Sequence, residues 1–138
     1  MKSRLHHLAN FTGKKLVSRF IISGALATAS HWLSMAALVA TGIPSHYSTA
    51  IGNVIGAYCN YLLQRNYTFE NSSPYRETLL KYLASCATAW LLNLAFFVLI
   101  QQITPFGVPL TQFITSFLVA LFNYHFYKRF VFHARTQS

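Results

Sequence analysis

Acidic residues are nearly absent from this chain. Glu70 and Glu77 are its two carboxylates in 138 residues, and charged residues of every kind make up 9%, against roughly a quarter in an average soluble domain. No carboxylate pair is available for general acid-base work, no His/Cys/Asp/Glu group has metal-ligand spacing, and no Gly-rich phosphate loop follows a strand pattern. A non-enzymatic protein without cofactor or metal is the expectation. Cysteine is scarce too. Cys59 and Cys86 lie inside apolar runs near a reducing face, so packing rather than a disulfide is expected of them.

What fills the chain is apolar: 54% of residues are hydrophobic and 16% aromatic. The eleven Lys and Arg give a formal charge of +9, which suits an anionic bilayer surface or nucleic acid. Their positions decide for the bilayer and against nucleic acid. Stretches 20–64 and 82–127 hold no Lys, Arg, Asp or Glu. Each is about 45 residues, roughly twice the ~20 a helix needs to cross a hydrocarbon core. Each therefore accommodates two spans and a turn, and the Gly and Pro of "TGIPSHYS" at 41–48 and "TPFGVPL" at 104–110 supply the turns. Spans are expected at about 17–40, 47–65, 79–101 and 108–128.

Cations gather at both termini and around 65–81, so by the positive-inside rule both termini and the middle loop are expected in the cytoplasm. The segment "KKLVSRFIISGALATAS" imitates a secretory signal, but its apolar pattern continues through "WLSMAALVA" to full membrane length. Asn10, Asn66 and Asn71 match the glycosylation pattern yet fall on the cytoplasmic side, which excludes them as acceptors.

The chain repeats itself at an offset of 63. "CNYLLQRNYTF" at 59–69 returns as "FNYHFYKRFVF" at 122–132, pairing Asn60 with Asn123, Tyr61 with Tyr124, Arg65 with Lys128 and Phe69 with Phe132. A two-span unit brings the chain back to its starting side, so two parallel-oriented repeats, about 16–69 and 79–132 within one domain of residues 1–138, are expected. Gly52 and Gly56 form a GxxxG step, and Ser23, Ala27 and Ser30 run along the first span. These small residues serve close packing inside the monomer or a homodimer face.

Polar side chains inside apolar spans cost several kcal/mol if unpaired, so they should face an interior or a wet groove. The candidates are His31, Asn53, Asn60, Tyr61, Asn93, Asn123, Tyr124 and His125. They either bond helix to helix or form a ladder for sugar hydroxyls and phosphate oxygens. Arg65, Lys128 and Arg129 close the runs, and Arg19 and Lys81 open the first and third spans. These cations either snorkel to set topology or form a basic collar for a phosphate. An Asn and a cation five residues on stand about 140° apart on an α-helix, so the helix is expected to fray there, with Tyr67, Phe69, Phe130 and Phe132 as an aromatic belt.

"RFIISGALATASHWL", "NYLLQRNYTF" and "NYHFYKRFVF" together resemble the GtrA-like family of small four-span membrane proteins, over nearly the whole chain from about Arg19 to Phe132. The resemblance implies a flippase that carries a polyprenyl-phosphate-linked sugar, such as undecaprenyl-phosphate glucose, to the outer leaflet of the bacterial inner membrane. The sugar there decorates O-antigen or other surface polysaccharide, and a membrane glycosyltransferase loads the lipid. The family's opening motif falls on Arg19, Phe20, Gly24 and Thr28, and its closing motif on Asn60, Arg65, Phe69, Asn123, Lys128 and Phe132. The chain departs from it at Ala27 and His31, where the family often has Asn and an acid, and at Lys128, where it usually has Arg. The rival expectation is a non-transporting membrane partner that recruits or stabilises a glycosyltransferase; a small drug exporter is disfavoured because a buried acid is lacking.

Overall fold

A computed structural model describes residues 2–71 and 73–132, with side chains from residue 13 onward. Lys2, Arg4, Asn10 and Arg135, which entered the charge and motif arguments, have side chains outside that range. The chain forms two compact units, Met1–Asn71 and Ser72–Ser138, and each is a pair of helices. Unit 1 holds α1 (Lys2–Ala40) and α2 (Ser45–Leu63); unit 2 holds α3 (Tyr75–Ile103) and α4 (Val108–Phe126). The described residues contain no strand.

The turns form where Gly and Pro demanded them. Gly42 sits at φ +90, and Gly42 N–H donates to Val39 O at 3.0 Å while Ile43 N–H donates to Leu38 O at 3.2 Å. That pair of bonds is a Schellman close, which needs a left-handed residue that glycine adopts without a Cβ clash. Pro44 then caps α2, Pro74 caps α3, and Gly107 with Pro109 opens α4. All three prolines stand where a helix N–H would have no partner anyway.

Burial is inverted relative to a soluble domain. The buried positions are largely small or polar, among them Ser23, Ser48, Ser85, Thr111 and Thr115 at 0% exposure. Large apolar side chains face outward, with Leu33 71% exposed and Phe113 72%. Gly13–Ala40 and Tyr75–Ile103 are long and apolar enough to cross a membrane, and 11% of each apolar window is buried, unlike a soluble core helix. α2 and α4 do not reach that apolarity, because Asn53, Asn60, Gln112, Asn123 and His125 interrupt them. At 19 residues each they are nonetheless about 28 Å long, close to the ~30 Å hydrocarbon thickness.

The fraying anticipated at the closing motifs does not occur. Each helix instead widens into one π turn, Gln64–Thr68 after α2 and Tyr127–Val131 after α4. Phe69 N–H donates to Gln64 O and Phe132 N–H to Tyr127 O, both across five residues at 2.9 Å. The two turns coincide at the 63-residue offset, so the repeat is conformational as well as chemical. A five-residue bond stacks positions that an α-helix would splay apart. It places Phe69 and Phe132, 5% and 0% exposed, back against their own units.

Candidate functional site

The foot of unit 1 is built where α1 meets the first π turn. Ser23 and Thr68 hydroxyls share a buried hydrogen bond of 2.8 Å, and Thr68 Oγ1 also donates to Arg19 O at 3.3 Å. Arg19 Nη1 donates to Tyr67 O at 3.0 Å, its guanidinium lies 5.0 Å from the Tyr67 ring centroid, and it is ion-paired to Glu70. Glu70 follows the turn at φ +47, and Asn71 N–H closes the widened end on Arg65 O at 2.8 Å. The hydrogen bond from Arg19, then its charge, hold the Glu70 carboxyl below the usual 4.5; slight desolvation opposes and Lys15 adds to the lowering.

Of the two roles open to Arg65, snorkelling or a place in a basic collar, its burial is at odds with snorkelling. The side chain is 6% exposed and donates from Nη1 to Asn66 Oδ1 at 3.0 Å. Gln64, 1% exposed, donates to Asn60 Oδ1 at 3.3 Å and Phe20 O at 3.5 Å, while its Oε1 has no partner among the described residues. Tyr61, one helical turn earlier, is buried at 1%.

The foot of unit 2 differs in chemistry at the same positions. Tyr127 replaces Gln64 and packs with Tyr82 and Phe132 at centroid distances of 5.6 and 5.8 Å, making an aromatic seat in place of an amide one. Lys128 and Arg129 are exposed, and the Lys128 ammonium stands 5.9 Å from the Tyr124 ring centroid. Lys81 pairs with Glu77 at 2.7 Å, an exposed bridge one helical turn long. The five cations expected to grip a phosphate are thus unequal: Arg19 and Lys81 are already paired with the two acids, Arg65 is buried, and Lys128 and Arg129 face outward.

The expected polar ladder is also divided. Asn53 and His125 are exposed rather than interior, and His125 Nδ1 lies 2.8 Å from Leu121 O. Asn93, Asn123 and Tyr124 are half-buried, with Asn123 Oδ1 buried and unpartnered among the described residues. His31 sits on the GxxxG step, and a Cβ at Gly52 would fall 2.8 Å from His31 Cδ2 and one at Gly56 2.9 Å from His31 Cβ. The glycines therefore bring α2 onto α1 inside unit 1. His31 Nε2 is buried there with no hydrogen-bond partner among the described residues, unlike the bonded packing residue anticipated.

Sequence reasoning missed Thr68, Glu70, Ser23 and Tyr82. Their contacts span 45 to 51 residues in unit 1, beyond any helical periodicity. The 63-residue offset, which pairs Gln64 with Tyr127, was the signal that could have drawn the two seats into the site.

A family model for the GtrA/DPMS transmembrane domain matches residues 19–132. Its bounds run from Arg19, which anchors the first foot, to Phe132, which closes the second. No curated protein and no solved structure matches the chain at a significant level. Outward-facing apolar helices, two of them long enough to span, and a family match over most of the chain make this a membrane protein that belongs to the GtrA/DPMS transmembrane-domain family.

Proposed function

We propose that the protein is a flippase that carries a polyprenyl-phosphate-linked sugar from the cytoplasmic to the outer leaflet of the bacterial inner membrane, for modification of cell-surface polysaccharide such as O-antigen. It does so as a four-span, multi-pass protein with the cation-rich segments in the cytoplasm, without catalysis and without a cofactor. Undecaprenyl phosphate is the expected carrier, and a membrane glycosyltransferase supplies the loaded lipid. The observation that carries the reading is the paired π turn, because two feet with the same widened backbone each place a basic residue second, Arg65 and Lys128. Topology alone would need the charge and not the backbone.

On this reading Lys128 and Arg129, exposed at the foot of unit 2, are open to a phosphate, and Arg65, buried in unit 1, can engage two oxygens at once where a head group reaches it. A head group with one negative charge moving outward against a negative interior gains about 2.3 kcal/mol per 100 mV if it crosses the whole field. The test is a flipping assay on the purified chain alone in vesicles, with a polyprenyl-phosphate hexose. Lys128→Gln with Arg129→Gln should slow flipping at least tenfold with insertion unchanged, since both side chains are exposed; Arg65→Lys should also slow it, by loss of the two-oxygen fork. Unchanged rates would defeat the proposal.

One observation favours the second reading, a non-transporting membrane partner for a glycosyltransferase. The glycine seam leaves no passage between α1 and α2, as an anchor would have it. Absence of flipping by the purified chain, with transferase activity or abundance falling when the chain is removed, would select it.

A further inference from the structure

The two units share one plan but not one interior. At the 63-residue offset, Gly52 and Gly56 of unit 1 become Thr115 and Val119 of unit 2, while Ala27 becomes Trp90 and Ser34 becomes Phe97. The small residues let α1 and α2 touch backbone to backbone. At the corresponding positions of unit 2 Thr115 is buried and Trp90 is exposed, and α3 and α4 pack less extensively than α1 and α2. Unit 2 has an open cavity of about 210 Å³ lined by Trp90, Asn93, Leu94, Phe97 and Gln112.

Its lining carries no charge and mixes aromatic and aliphatic side chains with two amides. Trp90 is 69% exposed and offers a flat indole face. Asn93 makes no hydrogen bond among the described residues, and Gln112 donates to Ser116 Oγ at 3.1 Å, leaving its carbonyl oxygen available. Amides provide both donors and acceptors, which suits hydroxyl groups, themselves both donor and acceptor. An unbonded amide at membrane depth is costly, so Asn93 wants a polar occupant. Pockets for drug-sized ligands are roughly 300–1,000 Å³; this one is smaller, fit for a single sugar ring. Gln112 lies four residues into α4 and 15 before Tyr127, about 22 Å along the helix from the basic foot.

We infer that this cavity is a subsite for the sugar ring, stacked on Trp90 and hydrogen-bonded by Asn93 and Gln112, at the end of unit 2 remote from the cations. The inference rests on the flippase reading for its ligand and adds to it a second station, where the sugar rather than the phosphate is recognised. Selection among lipid-linked head groups then resides in unit 2, and the closed seam of unit 1 has no equivalent station.

The experiment uses the full chain with Trp32→Phe, which leaves Trp90 as the sole indole. Two probes are titrated in detergent: a polyprenyl phosphate bearing one hexose and the same polyprenyl phosphate without sugar. The hexose lipid should shift Trp90 emission and bind more tightly than the bare phosphate. Asn93→Ala with Gln112→Ala should reduce that preference about tenfold, two hydrogen bonds' worth, while affinity for the bare phosphate is retained and serves as the folding control. Trp90→Phe, read by competition, should weaken the preference without touching the amides. A preference that survives these substitutions overturns the subsite and leaves the flippase reading standing. An equal Trp90 response to both lipids assigns the cavity to hydrocarbon and overturns it as well. Failure of the unsubstituted chain to bind either lipid overturns the flippase reading, and the subsite falls with it.

Discussion

Replacing Gly52 by Ala should destabilise unit 1, whereas the same change at Gly24 should stabilise it. An added Cβ at Gly52 meets His31 Cδ2 at 2.8 Å, His31 O at 2.9 Å and Met35 Cβ at 3.3 Å; at Gly24 it meets nothing within 4 Å. The His31 ring could rotate, but its carbonyl is backbone, so α1 and α2 must part by several tenths of an ångström. A gap of half an ångström or more forfeits about a quarter of each contact's dispersion energy, and overpacking of this kind costs about 1–3 kcal/mol. Ala in place of Gly within a helix returns about 1 kcal/mol at either site. The propensity gain cancels between the two variants, so Gly52→Ala should lie about 1–3 kcal/mol below Gly24→Ala. Unfolding in dodecylmaltoside by added SDS, followed through Trp32 in a Trp90→Phe background, reads unit 1 directly because Trp32 adjoins His31. Equal stability of the two variants would refute the seam. So would a loss that depends on protein concentration, since it would move the GxxxG step to a homodimer face.

Two further expectations concern the first foot. Thr68→Val orphans the Ser23 hydroxyl, which is 0% exposed, and should cost about 1–3 kcal/mol, whereas Ser23→Ala leaves Thr68 its bond to Arg19 O and should cost less, about 0.5–1.5 kcal/mol. The double variant should lose about 0.5–1.5 kcal/mol less than the sum; strict additivity in the same unfolding assay would show that the bond contributes nothing. Glu70 has its folded pKa below the ordinary 4.5, so its contribution is fully present above 4.5 and is lost as pH falls through the lowered value. Amide exchange over residues 67–71 should therefore accelerate only on acidification below 4.5, and Glu70→Gln should exchange fast already at pH 7. Exchange independent of pH in the unsubstituted protein, after correction for intrinsic rates, would contradict the Arg19 pairing.

The number of helices, their turns and the repeat were legible in the sequence because each depends on chain-local physics. Charge-free runs show where helices can be apolar, Gly42 and the prolines stop them, and an offset of 63 reveals duplication without any fold. The closing motif was legible as a recurrence but not as a shape. Its cation spacing clashed with α-helical geometry, and whether a helix end resolves that by fraying or by widening depends on what packs behind it, here Ser23 on Thr68 and Tyr82 on Tyr127. Tertiary structure alone decided which cations remain uncommitted, since the partners of Arg19 lie 48 and 51 residues away and charge counting cannot see them. It also decided that one helix pair is sealed and the other open. The difference lies in the side chains at Gly52 and Thr115, whose size acquires meaning only when another helix is brought against them.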